Sequence, residues 1–211
     1  MSTSTIINST AATVRISHTN SKLGAVIPSV NLPAGITCRP DAPCFKECYA
    51  RHGNFLYENV KKSLANNLKA YDTNPDLYFQ MILDGSRGYK RFRWHSSGDI
   101  VDTRYLEGMC WVARRNKETN YLCFTKKFEI VNNYVAEGHR IPKNLTIVFS
   151  GWTNWQPDNP YNFPTTWVYY PKNPEANKCI PEDSIPCGGK CSECSSCWTL
   201  KKGQSVFFKK H

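Results

Sequence analysis

Residues 89–99 read Tyr89-Lys90-Arg91-Phe92-Arg93-Trp94-His95-Ser96-Ser97-Gly98-Asp99, and this stretch decides how the chain folds. Aromatic and basic side chains alternate at period two up to His95, which is the pattern of a strand, and the small polar residues after it end that strand in a loop. Alternation sets Arg91 and Arg93 opposite Phe92 and Trp94, so the aromatic face reads as core. Downstream the period switches to that of a helix over 103–115, with Leu106, Met109, Cys110 and Ala113 on one face. A strand over 121–124, a helix over 128–137 closed by Gly138, and a strand over 145–149 follow. A loop over 152–164 rich in Trp, Asn and Pro then leads to a strand over 166–170. Strand-helix units repeated in this way predict an α/β fold with a mostly parallel sheet and right-handed crossovers.

Upstream, residues 32–37 read as the first strand. Tyr57, Val60, Leu64, Leu68 and Tyr71 recur at helical spacing over 54–71, with Asn54 as N-cap. A shorter helix after Pro75 should turn Leu77, Met81 and Ile82 inward and end at Gly85. Residues 1–23 are rich in Ser, Thr and Asn; they read as a loosely held start with a short edge strand at Val14-Arg15-Ile16. The expected organisation is an α/β domain over 1–178 with a Cys-rich segment, 179–211, packed on it.

Parallel sheets place their sites at the C-terminal strand edges. Three such edges carry polar or flexible groups: 95–99, Thr125-Lys126-Lys127, and Ser150-Gly151-Trp152-Thr153-Asn154. The loop between the first strand and the first long helix opens onto the same rim. It contains Cys38, Cys44 and Cys48.

The chain has 10 cysteines. Cys110 and Cys123 lie in apolar stretches and read as buried packing. The opening Met-Ser-Thr-Ser-Thr-Ile-Ile-Asn-Ser-Thr lacks the basic and apolar regions of a signal peptide, and no window holds the ~20 apolar residues of a membrane span. The expectation is therefore a soluble intracellular protein, with no membrane partner, whose clustered thiols are metal ligands rather than disulfides. Cys38-x5-Cys44-x3-Cys48 supplies three thiolates and no evident fourth. Such a loop can hold a [4Fe–4S] cluster by three corners and leave one iron open. Cys179-x7-Cys187-x3-Cys191-x2-Cys194-x2-Cys197 offers five thiols for a four-ligand site. Zinc or a second cluster would accept them, and the spacing does not separate the two metals.

Several short motifs carry a resemblance. Cys48-Tyr49-Ala50, Ser97-Gly98-Asp99, Thr125-Lys126 and Cys191-x2-Cys194-x2-Cys197-Trp198 resemble the phage gene product 88 family. The three-cysteine loop, with an aromatic residue after its last cysteine, resembles that of the radical S-adenosylmethionine superfamily. The superfamily spacing is Cys-x3-Cys-x2-Cys, however, and no clear Gly-Gly-Glu segment is present, so the likeness supports a cluster more strongly than radical chemistry. It implies a partial or truncated (β/α) barrel, and a cluster whose open iron chelates the amino and carboxylate groups of S-adenosylmethionine. Ser97, Gly98 and Asp99 would contact that cofactor, with Lys126 and Asn154 as further rim residues. Among the C-terminal thiols it favours Cys179, Cys191, Cys194 and Cys197, with Cys187 outside, although Cys187 in place of Cys179 is nearly as good a set. It also implies a phage-encoded protein in the host cytoplasm, either S-adenosylmethionine-dependent or a redox protein served by an electron donor. The competing reading of 96–99 is a plain turn in which Asp99 or Asp102 caps the next helix.

A net charge of +10, from 27 basic against 17 acidic residues, points to anionic substrates or nucleic acid. Lys201, Lys202, Lys209 and Lys210 read as a solvated, partly frayed terminus. The rival class is a zinc-stabilised nucleic-acid-binding protein without catalysis, with the basic aromatic strand as its base-stacking surface. A hydrolase of familiar type is the least favoured reading. His18, His52, His95, His139 and His211 are scattered, and no Gly-x-Ser-x-Gly or His-Glu-x-x-His motif occurs.

Overall fold

A computed structural model describes residues 13–18, 20 and 22–210. Its strands are β1 (Ile16–Ser17), β2 (Ser29–Val30), β3 (Arg91–Trp94), β4 (Asn120–Thr125), β5 (Leu145–Ser150), β6 (Thr165–Tyr169), β7 (Ile185–Pro186) and β8 (Ser205–Lys209). Four α-helices lie between them: α1 (Glu58–Thr73), α2 (Pro75–Ser86), α3 (Thr103–Arg115) and α4 (Phe128–Ala136). The strands form one sheet in the order β1-β2-β3-β4-β5-β6-β8-β7. Only β1 runs antiparallel to its neighbour. From β2 to β6 the order in space is the order in sequence, as successive β-α-β units require.

Alternation along the strands divides the interior into two layers. Phe92 and Trp94 of β3, Tyr121 and Cys123 of β4, and Leu145, Ile147 and Phe149 of β5 share one core with the helices. There Tyr71, Tyr78, Phe79, Trp94 and Tyr105 meet mostly edge to face, ring centroids 4.9–6.3 Å apart, the arrangement the ring quadrupole favours. The opposite face carries Leu122 and Val148, covered by Leu23 and Ile27 from the N-terminal segment and by Trp198, Leu200 and Val206 from the C-terminal one. Trp198 is pinned there: its Nε1 donates to the Phe92 carbonyl at 3.3 Å and its own carbonyl accepts from Thr146 Oγ1 at 3.0 Å.

The barrel expectation is met in part. The sheet is mostly parallel, and sequential as far as β6, but unclosed, with β1 and β7 at its two edges. Side-chain and loop contacts span the gap instead. Cys191 N donates to the Lys22 carbonyl at 2.8 Å, Lys22 Nζ lies 5.7 Å from the Phe208 ring, and Lys210 pairs with Glu47 at 2.8 Å.

Several local expectations are corrected. Residues 32–37 are a loop, since Pro33 has no N–H to give a ladder; the strand lies earlier, at β2, and Thr37 N bonds back to the Pro33 carbonyl at 3.3 Å. The long helix begins at Glu58 rather than Asn54. Two 3-10 turns, Tyr49–Arg51 and Gly53–Leu56, precede it, with Gly53 at φ 56. Helix α2 continues through Gly85 and is capped by Asn74, whose Oδ1 accepts from Leu77 N at 3.0 Å. Ile82 is buried as expected, whereas Leu77 is 39% exposed. The edge strand is Ile16–Ser17, just after its expected place. The loosely held start lies outside the described residues over 1–12, and beyond them Val14 and Leu23 are buried. Cys110 and Cys123 are fully buried, as packing requires.

The largest correction is at the C-terminus. Lys201, Lys202, Lys209 and Lys210 are exposed as expected, but the tail they sit in is not frayed: it contains β8, which pairs with β6 over five positions and buries Ser205 and Val206. A chain lacking residues 205–211 should therefore lose its cooperative thermal transition, measured by far-ultraviolet circular dichroism; a frayed tail would leave the midpoint unchanged.

Candidate functional site

The polar strand ends meet at one rim, and the turn after β3 is its joint. His95 leaves the strand at φ 59 and Gly98 stands at φ 85. A Cβ on Gly98 would lie 2.7 Å from both Leu32 Cβ and Thr37 Oγ1 and 2.9 Å from the Leu32 carbonyl oxygen, so only glycine allows this approach. Around it, Ser97 Oγ donates to the Leu32 carbonyl at 2.8 Å, Leu32 N donates to the Ser97 carbonyl at 2.9 Å, and Ser96 N donates to Asn31 Oδ1 at 2.7 Å. Asp99 N completes the seam on Thr37 Oγ1 at 3.1 Å.

Asp99 is 5% exposed. Its carboxylate accepts from Thr125 Oγ1 at 2.6 Å, Ile100 N at 2.8 Å and Lys126 N at 2.9 Å. Burial raises its pKa against those donors. The carboxylate thus ties the end of β3 to the end of β4. The helix cap is Asp102, which accepts from Tyr105 N at 2.8 Å and from the Tyr71 hydroxyl at 2.6 Å. As placed, Ser97, Gly98 and Asp99 form the wall of the site.

The three-cysteine loop lies against that wall. Cys38, Cys44 and Cys48 are all half-buried. Burial raises the pKa of Cys38, and Asp99 and the other two thiols push it further. Cys44 is raised by burial too, while Lys126 pulls it back. Arg39 anchors the loop through Asp41 and Glu129, each at 2.8 Å, and lies 5.5 Å from the Trp155 ring. Tyr49 exposes its ring yet turns its hydroxyl inward to donate to the Ser96 carbonyl. Among the described residues no group of three or more His, Cys, Asp or Glu side chains stands at metal-holding distance. The fit to a metal centre lies in the donor chemistry, three thiols from one loop close enough to act on one another's charge.

The rim continues as an arc of cations and aromatics. Lys126 Nζ lies 5.6 Å from the Trp152 ring, Trp152 Nε1 donates to the Tyr170 hydroxyl at 2.8 Å, and Lys210 Nζ lies 5.5 Å from the Tyr170 ring while pairing with Glu47. Asn154 is exposed at the tip of the turn between Trp152 and Trp155.

Arg93, which sequence reasoning set opposite the aromatic core face, was not counted among the site residues. It points away from the helices, 4.4 Å over the Phe124 ring, and its Nε is buried with no hydrogen-bond partner. Its charge opposes the burial-driven pKa rise of the Tyr49 hydroxyl on one side and of the Cys191 and Cys197 thiols on the other. The signal was present: a basic residue at an alternate position of a strand whose two faces are both covered.

The second thiol group lies on this same face. Cys187, Cys191, Cys194 and Cys197 line one small pocket. Burial pushes the Cys197 thiol up to about 12, with Cys187 the next contributor, whereas hydrogen bonding with Ser196 lowers Cys194. Arg91 reaches the loop from β3, Nη1 donating to the carbonyls of Cys191 at 3.0 Å and Cys194 at 2.7 Å, and Nη2 to that of Ser192 at 3.3 Å. Cys179 stands elsewhere, its Sγ donating to the Ala176 carbonyl at 3.5 Å, an oxygen that Thr153 Oγ1 also reaches. The structure therefore groups Cys187 with the last three cysteines and leaves out Cys179, the reverse of the set the resemblance favours.

The model of one protein family, described as gene product 88, matches residues 5–200. No curated protein and no solved structure matches the chain.

Two outcomes follow from the joint. Gly98→Ala should destabilise the fold by about 3 kcal/mol or more, read from denaturant midpoints, because strain at a left-handed residue costs about 1–3 kcal/mol and overpacking about as much again. His95 is buried with Nε2 3.0 Å from the Tyr105 hydroxyl; burial, then Arg93 and Lys127, bring its pKa from 6.5 down to about 3. A depressed pKa means the unfolded chain takes up the proton first. Stability should be fully present above pH 6.5 and fall as the pH drops towards 3, and His95→Gln should flatten that slope.

Proposed function

The chain belongs to the gene product 88 family, and we propose that it is an iron–sulfur protein in which Cys38, Cys44 and Cys48 hold a [4Fe–4S] cluster by three corners. The observation that carries this reading is the gathering of three thiols, rather than four, beside Asp99 and Lys126 at the C-terminal edge of a parallel sheet. When bound, such a cluster supplies electron transfer, and its open iron supplies a chelation point for a ligand such as S-adenosylmethionine.

The chain's own residues prepare the place. Lys126 favours ionisation of the Cys44 thiol. Tyr49, next to Cys48 in the chain, is fixed by its bond to the Ser96 carbonyl and ties the end of the cysteine loop to the turn after β3. Arg93 offers a buried N–H without an acceptor, and Lys126 a cation, to an anionic substrate or to a cofactor carboxylate. Asn154 serves as an outer contact from its turn. The likeness to radical S-adenosylmethionine enzymes rests on the loop motif, and on this reading the protein works in a host cytoplasm, where thiols stay reduced, with an electron donor as partner. No helix among the described residues is long and apolar enough to cross a membrane. The nucleic-acid alternative loses its stacking surface, because Phe92 and Trp94 are fully buried.

Protein purified without oxygen should be brown and carry about four irons and four sulfides per chain at this site. The Cys38→Ser/Cys44→Ser/Cys48→Ser variant should lose them and keep its circular dichroism spectrum. Colourless protein containing zinc alone overturns the reading. With a loaded cluster and a reductant, release of 5′-deoxyadenosine from S-adenosylmethionine marks radical chemistry, and its absence marks electron transfer.

A further inference from the structure

We propose that Cys187, Cys191, Cys194 and Cys197 bind one zinc ion in a closed tetrathiolate site, with Cys179 outside it and Arg91 positioning the loop. The inference stands apart from the rim cluster and uses none of its cysteines.

Each of the four cysteines is held by a different part of the fold. Cys187 follows β7 and its N–H donates to the Phe207 carbonyl on β8 at 2.8 Å. Cys191 N donates to the Lys22 carbonyl at 2.8 Å. Arg91 takes the carbonyls of Cys191, Ser192 and Cys194 together. Cys197 lies in the turn Ser196–Trp198, fastened by the buried indole of Trp198 to the Phe92 carbonyl. Four anchors thus converge on one pocket, and Gly189 at φ 86 lets the chain double back between Cys187 and Cys191.

The pocket is small, about 20 Å³ against the ~10–15 Å³ that one water-sized sphere requires, and its four thiols suit a single ion. Zinc accepts four thiolates in a closed tetrahedron, and a cysteine side chain turns about one bond to bring its sulfur in. Zn²⁺ with four thiolates carries a net charge of −2. Arg91, bonded to the loop, and Arg93, near Cys191 and Cys197, supply matching positive charge.

The test uses the full chain carrying Cys38→Ser/Cys44→Ser/Cys48→Ser, which removes the rim site, so the result is independent of whether iron binds there. Expected is one zinc per chain with four sulfur neighbours at about 2.3 Å by X-ray absorption. Adding Cys179→Ser should leave both unchanged, and adding Cys187→Ser instead should release the zinc. Iron with sulfide as the remaining metal, or zinc lost from the Cys179 variant, overturns the proposal. Should the Cys187 variant fail to fold, the sulfur count in the Cys179 variant decides: four supports the assignment and three overturns it. Arg91→Ala should weaken zinc retention about 10- to 100-fold against a chelator, and an unchanged affinity overturns the part assigned to Arg91.

Discussion

With three donors on a carboxylate that is 5% exposed, Asp99 carries the joint between the ends of β3 and β4. Each donor offsets part of the cost of burying charge, and losing any one would leave an acceptor unpaired at about 1–3 kcal/mol. Gly98 beside it lets the loop after β2 come within van der Waals distance of the same turn. Because that loop holds Cys38, Cys44 and Cys48, the placing of the three thiols against the sheet depends on a backbone approach that no side chain at position 98 would permit. Polar strand ends in a parallel sheet are common; strand ends sewn together this closely fix a site to within a bond's tolerance.

An unclosed sheet has a problem at its edges, where unpaired backbone invites other chains. Here the outer strands β1 and β7 have two residues each, and the gap between the sheet's two sides is bridged by Cys191 to Lys22, Lys22 to Phe208 and Glu47 to Lys210. The exposed Glu47–Lys210 pair contributes little on its own. The weight falls on Leu23, Ile27, Trp198, Leu200 and Val206, which cover the face turned away from the helices. The C-terminal cysteine segment thereby becomes part of the core of the fold.

The repeating units were legible because period and breakers agree: over 103–115, 121–124, 128–137 and 145–149 the helix and strand patterns are long and flanked by turn residues, and the structure follows them within a few positions. The rim was legible for the same reason, since strand ends can be read wherever strands can. Ser-Val-Phe-Phe-Lys was not legible as β8: five residues beside lysines look like a frayed end, and only pairing with β6 makes them a strand. Residues 32–37 were misread because apolar residues near a Pro pass for a strand until the lost N–H is counted. Which cysteine stands apart could not be read from spacing either, because it depends on β7 and β8 bringing Cys187 back over the sheet. The role of Asp99 was half legible. A carboxylate after a strand suits a helix cap, and that task fell to Asp102 three residues on.

Arg91 and Arg93 explain why the two thiol groups belong to one architecture. Both project from β3 onto the face that the helices do not cover, two residues apart, Arg91 bonded to the C-terminal loop and Arg93 lying between that loop and Tyr49. Arg91 is half-buried and bonded to three carbonyls, whereas Arg93, half-buried over the Phe124 ring, keeps its Nε without an acceptor, a cost that nearby negative charge would offset. Under the proposed metal sites, ligated sulfurs at either end of the strand would supply that charge. The basic strand and the paired cysteine groups therefore make electrostatic sense together under the two proposals: a closed four-thiol site beneath Arg91 would steady the sheet, and an open three-thiol site at the rim would leave a coordination position for chemistry.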